Sequence, residues 1–339
     1  MELRWLITGG CGFIGTNLIK RLHQEGNHSV RILDNLSSSN VNNTEEYCGL
    51  SNILTKADRF SEWSSLSTHS CQLVVGDIRD KELLLMATEG ADVIVHLAAN
   101  TGVPQSVQNP ALDCEINIGG TLNLLESAKA NDIKKFIFAS SGAPLGGALP
   151  PIRETTLPSP LSPYGVSKLA GESYCSVYSH LYSISTVALR FGNVYGPGSF
   201  NKSSVVAKFI KCVLKGEQIE IYGEGNQTRD YIYIDDLVDA LIRSALTELP
   251  GSEIFQIATN KETTLLELTQ LLRQAFQHFG VSNIECNHSN ARAGDALRNF
   301  SDISKAREML NWHPKTKMID GLCNTIKYFK DRAHTNESI

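Results

Sequence analysis

Two side chains four residues apart, Tyr164 and Lys168, are the pair in this sequence with the clearest chemical use. If the segment is helical, positions i and i+4 lie on one face, so the ammonium of Lys168 can stand beside the phenol of Tyr164 and favour its anion. Tyrosine titrates near pH ~10, so a base for neutral pH needs its pKa lowered by roughly three units, on the order of 4 kcal/mol. The pair predicts a proton-accepting phenolate. The alternative is a solvated surface helix.

A glycine-rich turn near the N-terminus predicts a seat for a diphosphate. The strand-like run at residues 3–8 leads into three glycines spaced GxxGxxG, namely Gly9, Gly12 and Gly15. A helix with apolar residues every four positions follows. Backbone without side chains lets a ligand approach closely, and the free N–H groups of the helix N-terminus point at it. A glycine cluster alone is weak evidence, and the neighbouring strands supply the context.

The second strand-like run, residues 30–33, ends in Asp34, about twenty residues beyond the glycine turn. An acidic side chain there can accept hydrogen bonds from the ribose diol of an adenosine. Because a carboxylate repels a 2′-phosphate, Asp34 predicts NAD rather than NADP. The alternative is an aspartate that only closes the turn after the strand.

Two further strand-like runs, residues 72–75 and 92–97, end in Asp77 with Ile78 and in Ala98 with Ala99. The carboxyl ends of parallel strands share one edge of the sheet, and ligands bind there in such folds. We therefore expect Asp77 and Ile78 to bracket the adenine, and the small Ala98 and Ala99 to let the backbone pass close to the cofactor.

The composition excludes several classes of function. A net charge of −5 without a basic run of five residues argues against nucleic acid or an anionic membrane as the main partner. No apolar run approaches the ~18 residues of a membrane span, and the chain enters a strand at once without a signal peptide. The eight scattered cysteines form no C-x-x-C pair, so we predict reduced thiols, no metal and a cytoplasmic location.

The alternation of strand-like and helical runs predicts an α/β fold: a doubly wound parallel sheet of the Rossmann type with a smaller α/β substrate-binding lobe. The expected NAD-binding domain is 1–189, to which residues 230–258 return, and the nucleotide-sugar lobe is 190–339. Residues 37–70 are polar and serine-rich, and they predict a long loop with one or two short helices around 45–54.

A set of motifs spread over nearly the whole chain resembles the extended short-chain dehydrogenase/reductase family, in particular its nucleotide-sugar epimerases and dehydratases. The motifs are Thr8-Gly-Gly-Cys-Gly-Phe-Ile-Gly15, Asp34, Gly76-Asp-Ile78, His96-Leu-Ala-Ala99, Ser140-Ser141, Ser162-Pro-Tyr-Gly-Val-Ser-Lys168, Arg190-Phe-Gly-Asn-Val-Tyr-Gly-Pro197, Gln227-Thr-Arg-Asp230 and Arg292-Ala-Gly-Asp295. Jointly they are specific for the family, and less so for the reaction.

The resemblance implies roles for individual residues. Ser141 would hydrogen-bond the reacting sugar oxygen, Tyr164 would be the acid/base, and Lys168 would hold the nicotinamide ribose and lower the pKa of Tyr164. Ser140 is the alternative to Ser141, and Asn117 would support the site through backbone and water contacts. The implied cofactor is NAD, held by Gly9, Gly12, Phe13, Ile14, Gly15, Asp34, Asn35, Asp77, Ile78, Leu97, Ala98, Ala99, Tyr164 and Lys168.

For the nucleotide sugar the resemblance implies contacts from Ser141, Asn193, Tyr222, Arg229, Arg292, Asp295 and Asn299. Two arginines on separate loops suit a diphosphate, because a guanidinium makes forked, charge-assisted hydrogen bonds. Without the motifs, salt bridges would be the default role of both. Asn299 falls where relatives that exclude N-acetyl sugars place a bulky aromatic, so its smaller side chain hints at tolerance of an N-acetyl group. The neighbouring Arg298 either meets a uronate or is solvated.

The sequence departs from the family after Ser141, where residues 142–146, Gly-Ala-Pro-Leu-Gly, replace the usual Val-Tyr-Gly turn. Dehydratases and decarboxylases of the family carry acidic residues at these positions. Their absence favours a UDP-sugar 4-epimerase, which needs only Tyr164 for oxidation and re-reduction through a 4-keto intermediate. The alternatives are a CDP-sugar 2-epimerase, a keto-sugar reductase, a dehydratase or a non-catalytic NAD sensor. A homodimer is implied as well.

Overall fold

The computed structural model describes residues 2–45, 49–58, 60, 63, 70–290 and 297–334. The chain divides into two units. The first contains Met1–Ala148, Glu154–Phe191 and Val238–Phe255, and the second contains Leu149–Arg153, Gly192–Leu237 and Gln256–Ile339. The assignment of cofactor binding to 1–189 with 230–258, and of substrate binding to 190–339, stays a prediction.

The strands are, in chain order, β1 (Leu3–Thr8), β2 (His28–Asp34), β3 (Gly49–Leu54), β4 (Ser70–Val75), β5 (Val93–His96), β6 (Lys135–Ser141), β7 (Ser185–Phe191), β8 (Asn193–Tyr195), β9 (Ile219–Tyr222), β10 (Thr228–Arg229), β11 (Tyr231–Tyr233), β12 (Ser252–Ile257), β13 (Thr263–Thr264) and β14 (Cys286–Ser289). Eight of them form one sheet in the order β12-β7-β6-β5-β1-β2-β4-β3. All pairings from β3 to β7 are parallel. This confirms the predicted Rossmann-type fold.

The helices are α1 (Phe13–Glu25), α2 (Asn42–Glu45), α3 (Lys81–Thr88), α4 (Val103–Gln108), α5 (Pro110–Asp113), α6 (Gly120–Ala130), α7 (Pro163–Tyr182), α8 (Val205–Leu214), α9 (Ile234–Leu246), α10 (Leu265–Gln277), α11 (Ser304–Leu310) and α12 (Met318–His334). A π-helical turn, Cys114–Gly119, joins α5 to α6, and a 3-10 turn, Ala143–Leu145, follows β6. Helices α3, α6 and α7 place Leu84, Leu124 and Tyr178 in one core with Leu6 and Phe136 of the sheet.

The order of the strands fixes where a ligand can bind in the first unit. The chain proceeds from β1 outwards through β2 to β4, and then returns to the other side of β1 with β5, β6 and β7. The direction reverses between β1 and β5, and in open parallel sheets ligands bind at the carboxyl ends of the strands that flank such a reversal. Thr8 and His96 are the last residues of these two strands.

The prediction of one or two short helices around 45–54 was wrong for the second half of that segment. Residues 49–54 form the edge strand β3, which pairs in parallel with β4 and shifts its register between Leu50 and Asn52. Its hydrogen-bond partners lie about twenty residues further along the chain, so the local sequence pattern carried little sign of the pairing. Residues 42–45 are helical as α2.

The second unit is built from three two-stranded ladders and from helices. Strand β8 pairs in parallel with β11, β9 pairs in parallel with β14, and β10 pairs antiparallel with β13. Ile152 forms a bridge to Ser301, and its amide donates to Phe300 O at 2.9 Å. The fully buried Trp312 donates from Nε1 to Asp236 O at 2.9 Å. Among the described residues, no helix combines the length and the apolar character needed to cross a membrane.

Candidate active site

The turn between β1 and α1 brings backbone, rather than side chains, to the edge of the sheet. Gly9 has φ +69°, and a Cβ there would lie 2.7 Å from Ala98 N. A Cβ on Gly15 would lie 2.5 Å from the backbone of Gly10. Helix α1 begins after Gly12, with no side-chain cap and no acidic residue in its first turn. The first turn of α1 therefore offers backbone N–H groups and the positive end of a helix dipole, which fits the diphosphate of NAD.

Asp34 ends β2 with a buried side chain that organises the loop around it. Its Oδ2 accepts from Cys11 N at 3.0 Å, and its Oδ1 accepts from Leu36 N and Ser39 Oγ, both at 2.9 Å. A carboxylate has about four acceptor positions, so these three bonds leave room for one ribose hydroxyl. The predicted contact of Asp34 with the ribose fits this geometry and stays a prediction.

Asn35 and Asp77 come together beside Asp34. Asn35 Nδ2 donates to Asp77 Oδ2 at 3.1 Å, and Arg79 donates a hydrogen bond to each carboxylate oxygen of Asp77, both at 2.9 Å. The hydrogen bonds from Arg79 lower the pKa of Asp77 to about 2 against the effect of burial. The neighbouring Ile78 packs closely against Gly120 of α6: a Cβ added to Gly120 would lie only 2.4 Å from Ile78 Cδ1. Asn35, Asp77 and Ile78 thus lie together in the first unit, and the contact of Asp77 and Ile78 with an adenine stays a prediction.

A chain of buried hydrogen bonds connects the glycine turn to the π-helical turn. Thr121 Oγ1 lies 2.6 Å from Asn117 O and gives its one hydrogen to that carbonyl. His96 Nε2, 2.9 Å from Thr121 Oγ1, therefore carries the imidazole hydrogen. Burial lowers the pKa of His96 to about 3, so the ring is neutral and Nδ1 accepts from Thr8 Oγ1 at 2.7 Å. Thr8 Oγ1 in turn accepts from Ala98 N at 3.3 Å.

The start of α7 lies against the end of β6 because of one glycine. Ser162 caps the helix by accepting from Gly165 N at 3.1 Å. A Cβ on Gly165 would lie 2.6 Å from Ala143 O, so only glycine permits this approach. As a result Tyr164 reaches Ser141, the last residue of β6, and hydrogen-bonds it. The replaced turn after Ser141 is the 3-10 turn 143–145, whose first amide donates to Ser141 Oγ at 3.1 Å.

The electrostatics of Tyr164 differ from the simple expectation of a tyrosine beside a lysine. Burial raises the pKa of Tyr164 to about 12, the hydrogen bond of Ser141 lowers it, and the charge of Asp113 raises it. Burial also lowers the pKa of Lys168 to about 8. Lys168 Nζ donates to Ala139 O at 2.8 Å and stands 5.8 Å from the centre of the Tyr164 ring. A phenolate at neutral pH therefore needs positive charge beyond that of Lys168.

Two buried carboxyl groups near this pair escaped the sequence reasoning. Asp113 lies one helical turn before Asn117 and accepts from its Nδ2 at 2.9 Å. Glu172, one turn after Lys168 on α7, is held by a fork from Arg190 at 2.8 and 2.7 Å. The spacing of four residues from a motif residue is the signal that could have pointed to both. Within the described ranges no group of three or more potential ligands could hold a metal ion.

The predicted substrate residues that the structure describes in the second unit lie on its strands and loops. Asn193 is exposed at the start of β8, and its amide donates to Asp230 O at 2.7 Å. Tyr222 ends β9 and donates from its hydroxyl to Glu220, and Arg229 donates to Thr228 O at 2.7 Å. Asn299 N donates to Thr228 Oγ1 at 3.2 Å. The other two, Arg292 and Asp295, lie outside the described residues.

One buried aspartate ties several of these loops together. Asp230 accepts from Thr259 N and Oγ1 at 2.7 and 2.5 Å, and from Ser301 N at 3.3 Å. Because Asp230 follows Arg229 directly and its carbonyl accepts from Asn193 N, it fixes the backbone at both positions. The Glu262 carboxylate accepts two hydrogen bonds from the Arg298 guanidinium, at 2.7 and 2.8 Å. Arg298 therefore already has an anionic partner in the second unit.

Comparisons with known proteins find a matching family model, similar relatives and a similar solved structure. The model of the NAD-dependent epimerase/dehydratase family matches residues 5–258. The UDP-glucose 4-epimerase of Mycolicibacterium smegmatis is 34% identical over 336 residues, covering 98% of this chain and 100% of that protein. The UDP-glucuronate 4-epimerase of Thermodesulfobacterium geofontis is 32% identical over 338 residues, covering 99% and 98%. A crystal structure of the UDP-glucose 4-epimerase of Thermotoga maritima with UDP-glucose has a TM-score of 0.85 at 32% identity, covering 98% and 100%.

The chain belongs to the NAD-dependent epimerase/dehydratase family. Its resemblance to the short-chain dehydrogenase/reductase fold and its dependence on NAD are thereby confirmed at the level of the family. It is an enzyme of the epimerase/dehydratase class, since family, relatives and fold agree over almost the whole length of the chain.

Proposed function

We propose that this protein is a UDP-sugar 4-epimerase that works through a transient 4-keto sugar. The observation that carries the proposal is the hydrogen bond between Ser141 and Tyr164 at the end of β6, followed by two residues, Gly142 and Ala143, that cannot exchange protons. Elimination or decarboxylation needs an additional acid or base at the sugar. Oxidation and re-reduction at one carbon needs only a single group that takes a proton and returns it.

In the proposed cycle Ser141 hydrogen-bonds the 4-hydroxyl of the sugar, and Tyr164 accepts the proton of that hydroxyl as the carbon–hydrogen bond breaks. When bound, NAD would supply the hydride acceptor and a positive charge that favours the phenolate. After the keto sugar has rotated about its diphosphate, the hydride returns to the other face of carbon 4 and Tyr164 gives the proton back to the new hydroxyl, so the cycle balances without another acid or base. Lys168, which donates to Ala139 O, adds a positive charge at pH values below its pKa of about 8.

The sugar is less constrained than the reaction. Asn299 is smaller than the aromatic residue that would exclude an N-acetyl group, which supports tolerance of both UDP-glucose and UDP-N-acetylglucosamine. The carboxylate of a UDP-uronate would have to compete with Glu262 for Arg298, so we propose neutral sugars as the preferred substrates.

The homodimer and the cytoplasmic location remain predictions from the sequence. Light scattering on the purified protein tests whether it is a dimer.

The test is turnover followed by NMR. Purified protein is incubated with UDP-glucose, UDP-N-acetylglucosamine or UDP-glucuronate, and the carbon-4 epimer is sought in each mixture. Tyr164→Phe is expected to lose at least 100-fold in turnover, since general acid–base catalysis contributes roughly 10²–10⁴-fold, and to keep NAD binding. Tyr182→Phe, at the exposed end of the same helix, is the matched control. Failure of the wild type to epimerise any of the three sugars would refute the proposal.

A further inference from the structure

Asp113 is a buried carboxyl group in the first unit. It has no role in the epimerisation cycle proposed above. It is the last residue of α5 and only 1% exposed. A carboxyl group at this depth is costly unless it is hydrogen-bonded or paired with a charge. The identity of its partners therefore indicates whether it serves the fold alone or also the site.

The hydrogen-bond donors around Asp113 can be assigned by counting hydrogens. Asn117 Nδ2 has two hydrogens and three acceptors in reach, at 2.9 Å (Asp113 Oδ1), 3.0 Å (Asn100 O) and 3.2 Å (Ser167 Oγ). The two shorter contacts take them. The Ser167 hydroxyl has one hydrogen and two acceptors in reach, Tyr164 O at 3.1 Å and the Asp113 carboxyl group, whose pKa this hydroxyl lowers. The groups that can donate to Asp113, an amide and a hydroxyl, are both neutral.

The position of Ser167 and Asn117 links Asp113 to the reacting pair. Ser167 lies on α7 between Tyr164 and Lys168, and its hydroxyl is 3.1 Å from Tyr164 O. Asn117 Oδ1 accepts from Asn100 N at 2.8 Å, which locks the π-helical turn against the segment after β5. The carboxyl group is thereby held at a fixed place under the first turn and a half of α7.

The ionisable groups around Asp113 and Lys168 come from four elements. Burial raises the pKa of Asp113, and hydrogen bonding by Ser167, the charge of Lys168 and hydrogen bonding by Asn117 lower it. The charge of Asp113 in turn raises the pKa of both Lys168 and Tyr164. His96 of β5 is neutral, α4 carries no ionisable side chain, and Glu115 of the π-helical turn pairs with Arg79 at 3.2 Å. The remaining groups that act on Lys168 are Glu172 and Cys175 on α7.

We propose that Asp113 is a positioning residue of the 4-epimerase proposed above: its carboxylate is the fixed negative charge that keeps the proton on Lys168 and balances the positive charge around Tyr164. A group that must both take and return one proton works best when its pKa lies near the working pH. Lys168 and a cationic nicotinamide both favour the phenolate, and a nearby anion limits that effect so that Tyr164 can also act as the acid.

The test is the pH dependence of kcat/KM in Asp113→Asn, measured on the NAD-loaded enzyme. Asparagine has the same shape and keeps an acceptor for Asn117, so only the charge is removed. Loss of one negative charge lowers the pKa of every group that feels it, so both limbs of the profile are expected to move to lower pH by on the order of one unit. Glu115→Gln removes a charge from the exposed side of the same segment and is expected to leave both limbs in place. A uniform loss of rate at all pH values, without displacement, would overturn the proposal.

A second measurement does not depend on sugar turnover. The ultraviolet absorbance change of tyrosinate formation is recorded for NAD-loaded protein, and the trace of Tyr164→Phe is subtracted to isolate Tyr164. Repeated in the Asp113→Asn background, the titration is expected to move to lower pH. If it moves while no sugar is epimerised, the role of Asp113 stands and the proposed function fails. If it does not move, the role of Asp113 is refuted.

The wild-type protein provides a third readout in case Asp113→Asn does not fold. Carboxyl ¹³C NMR, with the Asp113 signal assigned through its backbone, reports whether the group is ionised in the NAD-loaded enzyme at pH 7. We expect the ionised form. A protonated Asp113 at pH 7 carries no charge to act on Lys168 or Tyr164, and it would contradict the proposal.

Discussion

Replacing Glu172 by glutamine is expected to destabilise the first unit strongly, because its partner Arg190 would remain buried without a counter-ion. The residues are 4% and 2% exposed, and two hydrogen bonds of 2.8 and 2.7 Å join them. Ser140 Oγ adds a third bond to Glu172 at 2.5 Å. Arg190 Nη1 already lacks a partner among the described residues, so the site has no spare acceptor.

Removing one member of a buried ion pair costs about 3–5 kcal/mol of unfolding free energy. In a unit of 150–250 residues each kcal/mol lowers Tm by about 2–4 °C, so we expect Glu172→Gln to lower Tm by roughly 6–20 °C. Circular dichroism during heating, and urea unfolding at 25 °C, measure the effect. The double variant Glu172→Met with Arg190→Met removes both charges and is expected to regain part of the loss.

The matched control is Arg21→Gln, which breaks a surface pair between Arg21 Nε and Glu25 at 2.8 Å on α1. These side chains are 47% and 31% exposed, so solvent screens their attraction. The expected loss is at most about 0.5 kcal/mol. If Glu172→Gln were no more destabilising than Arg21→Gln, the reasoning from burial to ion-pair strength would be wrong here.

The remaining predictions concern the edge of the sheet. Gly9→Ala is expected to lower stability by at least about 1–2 kcal/mol and to weaken NAD binding, because φ is +69° and the new Cβ would meet Ala98 N at 2.7 Å. Gly142→Ala, at φ −70° with nothing within 4 Å, is its control in thermal melts and NAD titrations, and equal losses would contradict the geometry. Asp77→Asn is expected to be less stable than wild type at pH 7, since the folded-state pKa of Asp77 is lowered to about 2. The difference should decline as pH falls below about 4 and vanish about one unit below the folded-state pKa, and a difference that stays constant over this range would refute that pKa.

Local motifs carried most of what could be predicted for the first unit. Three features depend only on backbone geometry within a few residues: the glycine turn, Asp34 and the Tyr164–Lys168 spacing. The neighbouring residues determine such geometry. The parallel sheet followed from the alternation of buried strands and amphipathic helices. These features are short-range, so a single sequence is enough to indicate them.

What could not be predicted depends on contacts between distant residues. Strand β3 pairs with β4, about twenty residues further along the chain. The pKa of Tyr164 was expected to be lowered by Lys168, whereas burial raises it to about 12, and burial is a property of the folded chain. Asp113 acts on Tyr164 and Lys168 from about fifty residues away, and nothing in the local pattern around Tyr164 contains it.

The direction of the hydrogen bonds through His96 rules out a role of that ring as a proton relay. A proton wire must be able to reverse all of its bonds, but here the Ala98 amide at one end can only give and the Asn117 carbonyl at the other can only receive. The imidazole therefore links the end of β1 to α6 through hydrogen bonds of fixed direction, and it cannot relay a proton between them.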